Sequence, residues 1–262
     1  MEKETTPFVE RFEMKFLIPF SLVEPISQFV AAYCSPDEYS GDLGDGYYRV
    51  NNLYLDSPNY FFLRMRLADA ESRFNLRVRY YGERPFPPYF LEVKHKVGDV
   101  VRKYRSEVND QKWYKIFEDP GYVSPENCRM PVTRDRALFE RLLLTYNAGP
   151  QIFTQYLRKV WVSNVDAYAR VTFDMALKYK EQTGYEFDPE GELLPCDPET
   201  VFDQGCSVIL ELKCYAAYVP VWMMDMVRYF NLKRGSFSKY ATGMLTLLDQ
   251  FQCGTDHRIP VC

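Results

Sequence analysis

The chain has 262 residues, of which 47% are hydrophobic and 16% aromatic, and its formal net charge is -4. This composition supports a substantial core and excludes a mainly disordered chain. The acidic balance argues against a protein coated with positive charge for nucleic acid. The start of the chain has no secretory-signal pattern, and no apolar stretch is long enough to span a bilayer. Seven scattered cysteines favour reduced thiols, so we expect a cytoplasmic protein without a membrane segment.

Eight segments alternate between charged and apolar residues, or nearly so, and this alternation predicts β-strands. Gly98 and Asp99 join two of the segments and indicate a tight hairpin. Helices are predicted at 21–33, at 57–68 with Ser57 as its cap, at 133–146 and at 216–230. The predicted strands are 9–16, 49–55, 73–81, 89–97, 100–108, 156–163, 169–175 and 207–214.

The whole chain, 1–262, is predicted to form a single domain of the α+β class, because neither an internal repeat nor a low-complexity linker divides it. Residues 181–206 are rich in Gly, Pro, Asp and Glu and indicate an irregular excursion. A short C-terminal tail is predicted from about residue 249. The helix at 216–230 is expected to pack on the core, with a partner surface as the alternative.

The two faces of the predicted strands differ sharply, because residues two apart in a strand point the same way. One face is apolar, as in Phe12, Met14 and Phe16 or Val208, Leu210 and Leu212. The other is charged and mostly basic. A solvated outer face is the ordinary explanation for one such strand. Rows of like charge repel one another, however, so an anion is expected to neutralise them.

An inside-out arrangement resolves this repulsion. We predict an antiparallel eight-stranded β-barrel whose apolar faces pack outward against helices and whose charged faces line a tunnel. Interior arginines can grip phosphate oxygens in pairs, and lysines act as point charges. Glu13, Glu92 and Glu211 each stand two residues before a lysine and are candidate ligands for Mg²⁺ or Mn²⁺, with pairing to basic neighbours as the alternative.

Several motifs along the chain resemble the catalytic domain of the vacuolar transporter chaperone (VTC) polyphosphate polymerases. This family belongs to the triphosphate tunnel metalloenzymes, which include CYTH domains. The similarity covers about residues 10–248. The motifs are Glu13-Met14-Lys15-Phe16, Leu53-Tyr54-Leu55-Asp56, Arg77-Val78-Arg79-Tyr80-Tyr81-Gly82, Glu92-Val93-Lys94, Arg170-Val171-Thr172-Phe173-Asp174, Leu210-Glu211-Leu212-Lys213 and Phe237-Ser238-Lys239-Tyr240.

The resemblance implies an ATP-dependent polymerase that transfers the γ-phosphoryl group of ATP to inorganic polyphosphate and releases ADP. It assigns the family's metal-binding glutamate to Glu211. Arg105 and Lys213 are added as substrate-binding residues because they lie on the same faces. The residues that the resemblance implies for holding the triphosphate and the chain are Lys15, Arg77, Arg79, Lys94, Arg158 and Arg170, predicted as catalytic, and Lys103 and Lys239, predicted as substrate-binding.

Three alternatives remain open at this point. A hydrolase of the same fold would cleave tripolyphosphate or nucleoside triphosphates with the same residues. A tunnel open at both ends favours the polymerase, and a plugged one favours the hydrolase. CYTH enzymes begin with Glu-x-Glu-x-Lys, but Arg11 replaces the first glutamate, which favours the VTC branch. The second alternative is a non-catalytic polyphosphate-binding module, and the third is a solvated sheet of unrelated function. Neither His95 nor His257 is expected to be catalytic.

Overall fold

The computed structural model describes residues 11–40, 46–98, 100–119, 122, 124, 133–188, 191–201, 205–215 and 218–254. These residues form an α+β fold with one large antiparallel sheet. Its strands are β1 (Arg11–Ile18), β2 (Cys34–Pro36), β3 (Tyr48–Asp56), β4 (Ser72–Tyr81), β5 (Tyr89–Val97), β6 (Val100–Val108), β7 (Gly149–Ser163), β8 (Ala169–Glu181), β9 (Leu194–Pro195), β10 (Val208–Tyr215) and β11 (Arg234–Gly235). The helices are α1 (Val23–Val30), α2 (Phe61–Leu67), α3 (Lys115–Glu118), α4 (Arg134–Thr145), α5 (Pro198–Val201), α6 (Val221–Tyr229) and α7 (Lys239–Gly254).

The strands are hydrogen-bonded in the order β2-β7-β3-β4-β5-β6-β1-β10-β8-β9, and β11 pairs with β1. β7 also pairs with β8, and β1 meets β6 at Arg11 and Val101. The hairpin of β5 and β6 is confirmed, with Gly98 at a φ of 56° in its turn, a conformation that glycine adopts without steric cost. The large antiparallel sheet is thus established, and the eight-stranded barrel remains a prediction.

All eight predicted strands have counterparts, but β7 and β8 are longer than predicted. β8 continues from Ala169 to Glu181, whereas the alternation in the sequence ends near Met175. Ala176 has a φ of 51°, and the β7–β8 register shifts in this region. A bulge of this kind interrupts the period-2 pattern without ending the strand. The prediction was therefore wrong about where β8 ends.

The predicted helices form, with shifted ends. α2 begins at Phe61 and not at Ser57, because the Asp56 carboxylate and the Ser57 hydroxyl accept hydrogen bonds from the backbone N–H groups of the helix start. The predicted helix 21–33 is divided into a 3-10 turn, Phe20–Leu22, followed by α1. α4 matches its prediction, and Thr133 caps it. The predicted helix 216–230 begins only at Val221, after Pro220 as its N-cap, and residues 216 and 217 lie outside the described residues.

Two apolar clusters cover the sheet face that the sequence predicted to be buried. In the first, Phe16, Phe173 and Leu210 pack against α1 and α6. In the second, Leu76 and Leu91 pack with α2 and α4. Helix α6 contributes Trp222, Met223 and Met226, which confirms its predicted packing on the core. The opposite face of the same strands is thereby left to the charged residues.

Helix α7 departs from the prediction that the helices pack outside the sheet. Its Tyr240, Ala241, Met244 and Leu247 join a third cluster with Leu17, Ile209 and other residues. Leu17 and Ile209 share a strand face with Lys15 and Glu211, because they are two residues away. α7 therefore packs on the charged side of the sheet, at one end of these strands. It also extends to Gly254, so the tail predicted from about 249 begins as helix.

The predicted irregular excursion contains two short elements, β9 and α5, in its described part. Phe187 packs edge-to-face on Tyr80 and stacks with Tyr89. These contacts fix the first part of the excursion against the second apolar cluster. Among the described residues, none of the helices has both the length and the apolar character needed to cross a bilayer.

Candidate functional site: a basic cavity on the charged side of the sheet

The charged strand faces meet at a cavity of about 740 Å³. β1, β3, β4, β5, β6, β7, β8 and β10 all contribute side chains to its wall. Fourteen Lys and Arg side chains line the cavity, against five Asp and Glu side chains. The structure brings together every basic residue predicted for the site, namely Lys15, Arg77, Arg79, Lys94, Lys103, Arg105, Arg158, Arg170, Lys213 and Lys239.

Glu92 lies beneath this wall, 1% exposed, among four basic side chains. Its Oε2 is 2.7 Å from Arg77 Nε and 3.9 Å from Arg79 Nε. Its Oε1 is 2.6 Å from Lys103 Nζ and 3.3 Å from Arg105 Nε. Burial raises the pKa of Glu92, but the neighbouring positive charges lower it further, and the pKa falls well below its usual range. Glu92 thus organises the basic wall as a charged partner.

Asp174 plays the corresponding part on the other side of the cavity. Arg158 donates to both of its carboxylate oxygens, at 2.6 and 2.7 Å, and Lys239 Nζ donates to Oδ2 at 2.7 Å. Asp174 is 1% exposed, so this ion-pair triad is desolvated and held firmly. Asp174 ends one of the motifs that carry the family resemblance, but no role was predicted for it from the sequence. Its partner on α7 lies outside any strand, and period-2 alternation carries no signal for that contact.

Glu13 and Glu211 lie together on β1 and β10. In the antiparallel register Glu13 is opposite Lys213, and Glu211 is opposite Lys15. Glu13 accepts a hydrogen bond from Lys94 at 2.6 Å, and Glu211 lies 2.7 Å from Lys213. Burial raises the pKa of Glu211, but Lys213 and Lys15 lower it well below its usual range. Burial also lowers the pKa of Lys15 to about 8, although Glu211 opposes that shift. Burial raises the pKa of Glu13 as well, but Lys94 helps to lower it below its usual value. Both carboxylates are therefore ionised at neutral pH.

This pair is the candidate metal site. Mg²⁺ is usually bound in proteins by one or two carboxylates, with phosphate oxygens and water completing its shell. Two adjacent ionised carboxylates on a basic cavity fit that mode. In the described part of the chain no group of three or more His, Cys, Asp or Glu side chains is placed to hold a metal by itself. Glu92, the third predicted ligand, is instead surrounded by cations.

Two regions of the cavity were not recognised from the sequence as part of the site. Tyr39, Tyr48, Tyr81 and Phe90 line the end where β3 begins and β4 ends. Arg66, Arg73 and Arg234 line the other end with Ser236 and Phe237, which lie shortly before α7, and of these residues the strand pattern had placed only Arg73 on a charged face. Their side chains come from a helix, loops and strand ends. The strand pattern therefore does not mark them as a set.

The start of α7 is fixed to the cavity wall at three points. Lys15 Nζ donates to the Phe237 carbonyl at 2.8 Å, Lys239 binds Asp174, and the Tyr240 hydroxyl donates to the buried Asp56. Lys239 was assigned to the site by resemblance, and the structure places it in the cavity at the first residue of α7. The helix thereby contributes a basic residue and also occupies one end of the charged strand faces.

Among the residues that the structure describes, the histidine and the cysteines show no arrangement for nucleophilic chemistry. His95 hydrogen-bonds to Ser72 and packs edge-to-face on Phe74, while its neighbours Lys94 and Lys96 line the cavity. His257 lies outside the described residues. Cys34, Cys196 and Cys214 are buried free thiols. Burial raises the pKa of Cys34 and of Cys196 to about 12, which makes both thiols inert at neutral pH.

The protein thus has a large antiparallel sheet with one strongly basic face, and this face lines the cavity. A family model, the VTC domain, matches residues 10–248. The chain belongs to the VTC domain family. No curated protein sequence matches it.

Solved structures of similar shape include proteins from a bacterium and a plant. A proposed adenylate cyclase from Bacillus halodurans is 11% identical, with a TM-score of 0.47, and the alignment covers 88% of this chain and 94% of that one. A proposed adenylyl cyclase from Hippeastrum, described as having a dominant triphosphatase activity, is 14% identical, with a TM-score of 0.46 and coverages of 90% and 96%.

Proposed function

We propose that the protein is a metal-dependent phosphotransferase that extends inorganic polyphosphate with the γ-phosphoryl group of ATP and releases ADP. The observation that carries the proposal is the excess of basic side chains over carboxylates in one cavity. Polyphosphate carries a negative charge on every phosphate, and the basic lining reaches from the aromatic end to Arg66 and Arg73 beside α7. That lining exceeds what one nucleoside triphosphate needs.

A closed barrel would explain this concentration of charge. We infer that β1, β3, β4, β5, β6, β7, β8 and β10 form one, with the cavity as its lumen. The pairing of β7 with β8 and the contact of Arg11 with Val101 support this inference. Eight strands leave room inside for side chains and a small ligand. A water-poor lumen would also strengthen each contact between phosphate and cation.

In the proposed reaction the bond between the γ-phosphorus and its bridging oxygen to ADP breaks, and ADP leaves with the electron pair. A terminal oxygen of polyphosphate forms the new bond to that phosphorus. Arg77, Arg79, Arg158, Lys15 and Lys94 hold the phosphates in line and neutralise their charge. Positioning and charge neutralisation supply most of the catalysis in phosphoryl transfer, so no protein nucleophile is required.

Glu211 and Glu13 would hold the Mg²⁺ or Mn²⁺ ion. When bound, the ion would act as a Lewis acid and neutralise the charge that develops on the phosphate oxygens. Both glutamates are ionised, and lysines compensate their charges before any ion binds. Lys94 and Lys213, which contact Glu13 and Glu211 and line the cavity, would be free to bind phosphate oxygens once these glutamates hold the ion.

A hydrolase of the same cavity is the second candidate, and helix α7 favours it. α7 packs on the cavity side of the strands and occupies one end. A plugged end suits a short substrate and water as the acceptor. Against this, a second cavity of about 350 Å³ lies between α2 and α7, and it shares Arg66, Ser236 and Phe237 with the main cavity. A chain could leave beside α7 by this route.

The test is incubation of the purified protein with ATP and Mn²⁺ or Mg²⁺, while ADP, free phosphate and long-chain polyphosphate are measured together. We expect polyphosphate to accumulate with ADP, and chelation of the metal to stop it. Glu211→Gln should abolish turnover. Glu24→Gln, an exposed glutamate on α1, is the matched control and should be fully active. Free phosphate without polymer would establish the hydrolase, and binding without turnover would support only a polyphosphate-binding module.

A further inference from the structure

A cluster of aromatic rings stands at the cavity end opposite α7. Tyr39 and Tyr81 are nearly parallel, with an interplanar angle of 13° and centroids 6.0 Å apart. Tyr48 packs edge-to-face on Tyr81 at 5.9 Å, and Tyr81 packs on Phe90 at 5.7 Å. Tyr39, Tyr48, Tyr81 and Phe90 all line the cavity. We call these four residues the aromatic rim.

The rim leaves apolar ring surface exposed beside a site that is otherwise built for charge. Tyr39 is 51% exposed, and Tyr81 and Phe90 are only partly buried. Phosphate gains nothing from aromatic faces, whereas a flat heterocycle gains from stacking on them. The rim therefore matches a ligand that is polyanionic at one end and aromatic at the other.

Arginine residues join the rim to the phosphate-binding wall. The Arg105 guanidinium carbon lies 3.6 Å from the Phe90 ring centroid, while Arg105 Nε lies 3.3 Å from Glu92. Arg79 and Arg105 both donate to the Tyr81 hydroxyl, at 3.4 and 3.3 Å. If the base of a nucleotide stacks on the rim, its phosphates would thus lie beside two arginines, which bind phosphate oxygens well.

We propose that the aromatic rim is the nucleobase subsite of the cavity, with Tyr39 as the stacking platform. The inference rests on the proposed use of a nucleoside triphosphate and adds the place where its base binds. It also sets the direction of the substrate: the base lies at the rim, and the phosphates point toward Lys239 and α7. Stacking accepts any base, so the subsite favours nucleotides over tripolyphosphate without strict selection for adenine.

The test compares the binding of ATP and of inorganic tripolyphosphate by calorimetry for the wild type and for rim variants. Tyr39→Ala should weaken ATP binding about 5- to 150-fold, the range for loss of one base–aromatic stack. It should leave tripolyphosphate binding unchanged. Tyr39→Phe retains the ring and should retain ATP binding. Phe86→Ala, an exposed aromatic residue between β4 and β5 that does not line the cavity, is the matched control.

The outcomes separate this inference from the proposed function. Equal loss of ATP and tripolyphosphate binding in Tyr39→Ala, or no loss of either, would overturn the nucleobase subsite while the phosphate site stands. Failure of the wild type to bind tripolyphosphate would overturn the proposed function itself. Circular dichroism of each variant would verify that the fold is retained.

Discussion

Glu92 combines a deeply buried position with a high local density of positive charge. As a carboxylate two residues before a lysine, it was a candidate metal ligand together with Glu13 and Glu211. The structure surrounds it with Arg77, Arg79, Lys103 and Arg105. A cation at Glu92 would have to compete with four positive charges already in place. Its metal-binding role stays an untested prediction, and its contacts favour a role in positioning the basic wall.

Glu92→Gln therefore has a specific expected result. Removal of one partner from a buried ionic cluster costs about 3–5 kcal/mol, so thermal denaturation should show a clear loss of stability. The freed arginines should bind tripolyphosphate more tightly. Mn²⁺ affinity, measured by calorimetry in the presence of tripolyphosphate, should change little.

Glu13→Gln is the comparison for that measurement, and it should lower Mn²⁺ affinity. A fall in metal affinity with Glu92→Gln as large as with Glu13→Gln would contradict the positioning role and would support Glu92 as a ligand.

From period-2 alternation the sequence predicts which strand face a residue lies on, but not which residue it contacts. Nine of the ten basic side chains predicted for the site lie on strands, where residues two apart share a face, and Lys239 on α7 was included by resemblance. The sequence could not pair Glu92 with Lys103 or Asp174 with Lys239, because such pairs depend on strand register and on a helix far along the chain. The roles of individual carboxylates therefore required the structure.

Helix α7 shows the same limit for a secondary-structure element. Tyr240, Ala241, Met244, Leu247 and Leu248 have helical spacing, and this signal could have predicted the helix. Nothing in that spacing shows which side of the sheet the helix covers. Similarly, the bulge at Ala176 interrupts the alternation, so the second half of β8 was not predicted from the sequence. This half contains Leu177 and Tyr179, which pack in the same cluster as α7.

Tyr240→Phe tests how firmly α7 is held. The substitution removes the hydroxyl that donates to Asp56, a fully buried carboxylate that also caps α2. Loss of one partner of a buried polar group costs about 1–3 kcal/mol. We expect lower thermal stability and faster amide hydrogen exchange in α7. Unchanged exchange in α7 would show that apolar packing alone holds it.

At the scale of the whole molecule, the charge of the cavity wall is opposite in sign to the net charge of the protein. The protein carries a formal charge of -4, yet the cavity wall is strongly basic. The acidic groups that outweigh it lie elsewhere on the chain. This separation should draw a polyanion to the cavity and disfavour non-specific binding of nucleic acid to the outer surface.

Salt dependence is the measurement that tests this distribution. Tripolyphosphate affinity should fall steeply as NaCl rises from low concentration to 0.5 M, because mobile ions screen the attraction. Arg170→Gln, which removes an exposed charge from the cavity wall, should weaken binding and reduce the salt slope. Arg102→Gln, on the opposite face of β6, is the control. A flat response in the wild type would indicate a solvated sheet without an anion site.

The first and second apolar clusters separate the packing that stabilises the sheet from the residues that line the cavity. Leu76, Leu91, Phe173 and Leu210 pack in the two clusters on the face away from the charged residues, and none of these four lines the cavity. Many residues on the inner face can therefore be exchanged without opening a void in those two clusters. Selection can alter the chemistry of such a cavity through single substitutions while the scaffold persists. A sheet with its apolar packing on the outside is for this reason a suitable starting point for the design of new anion-processing catalysts.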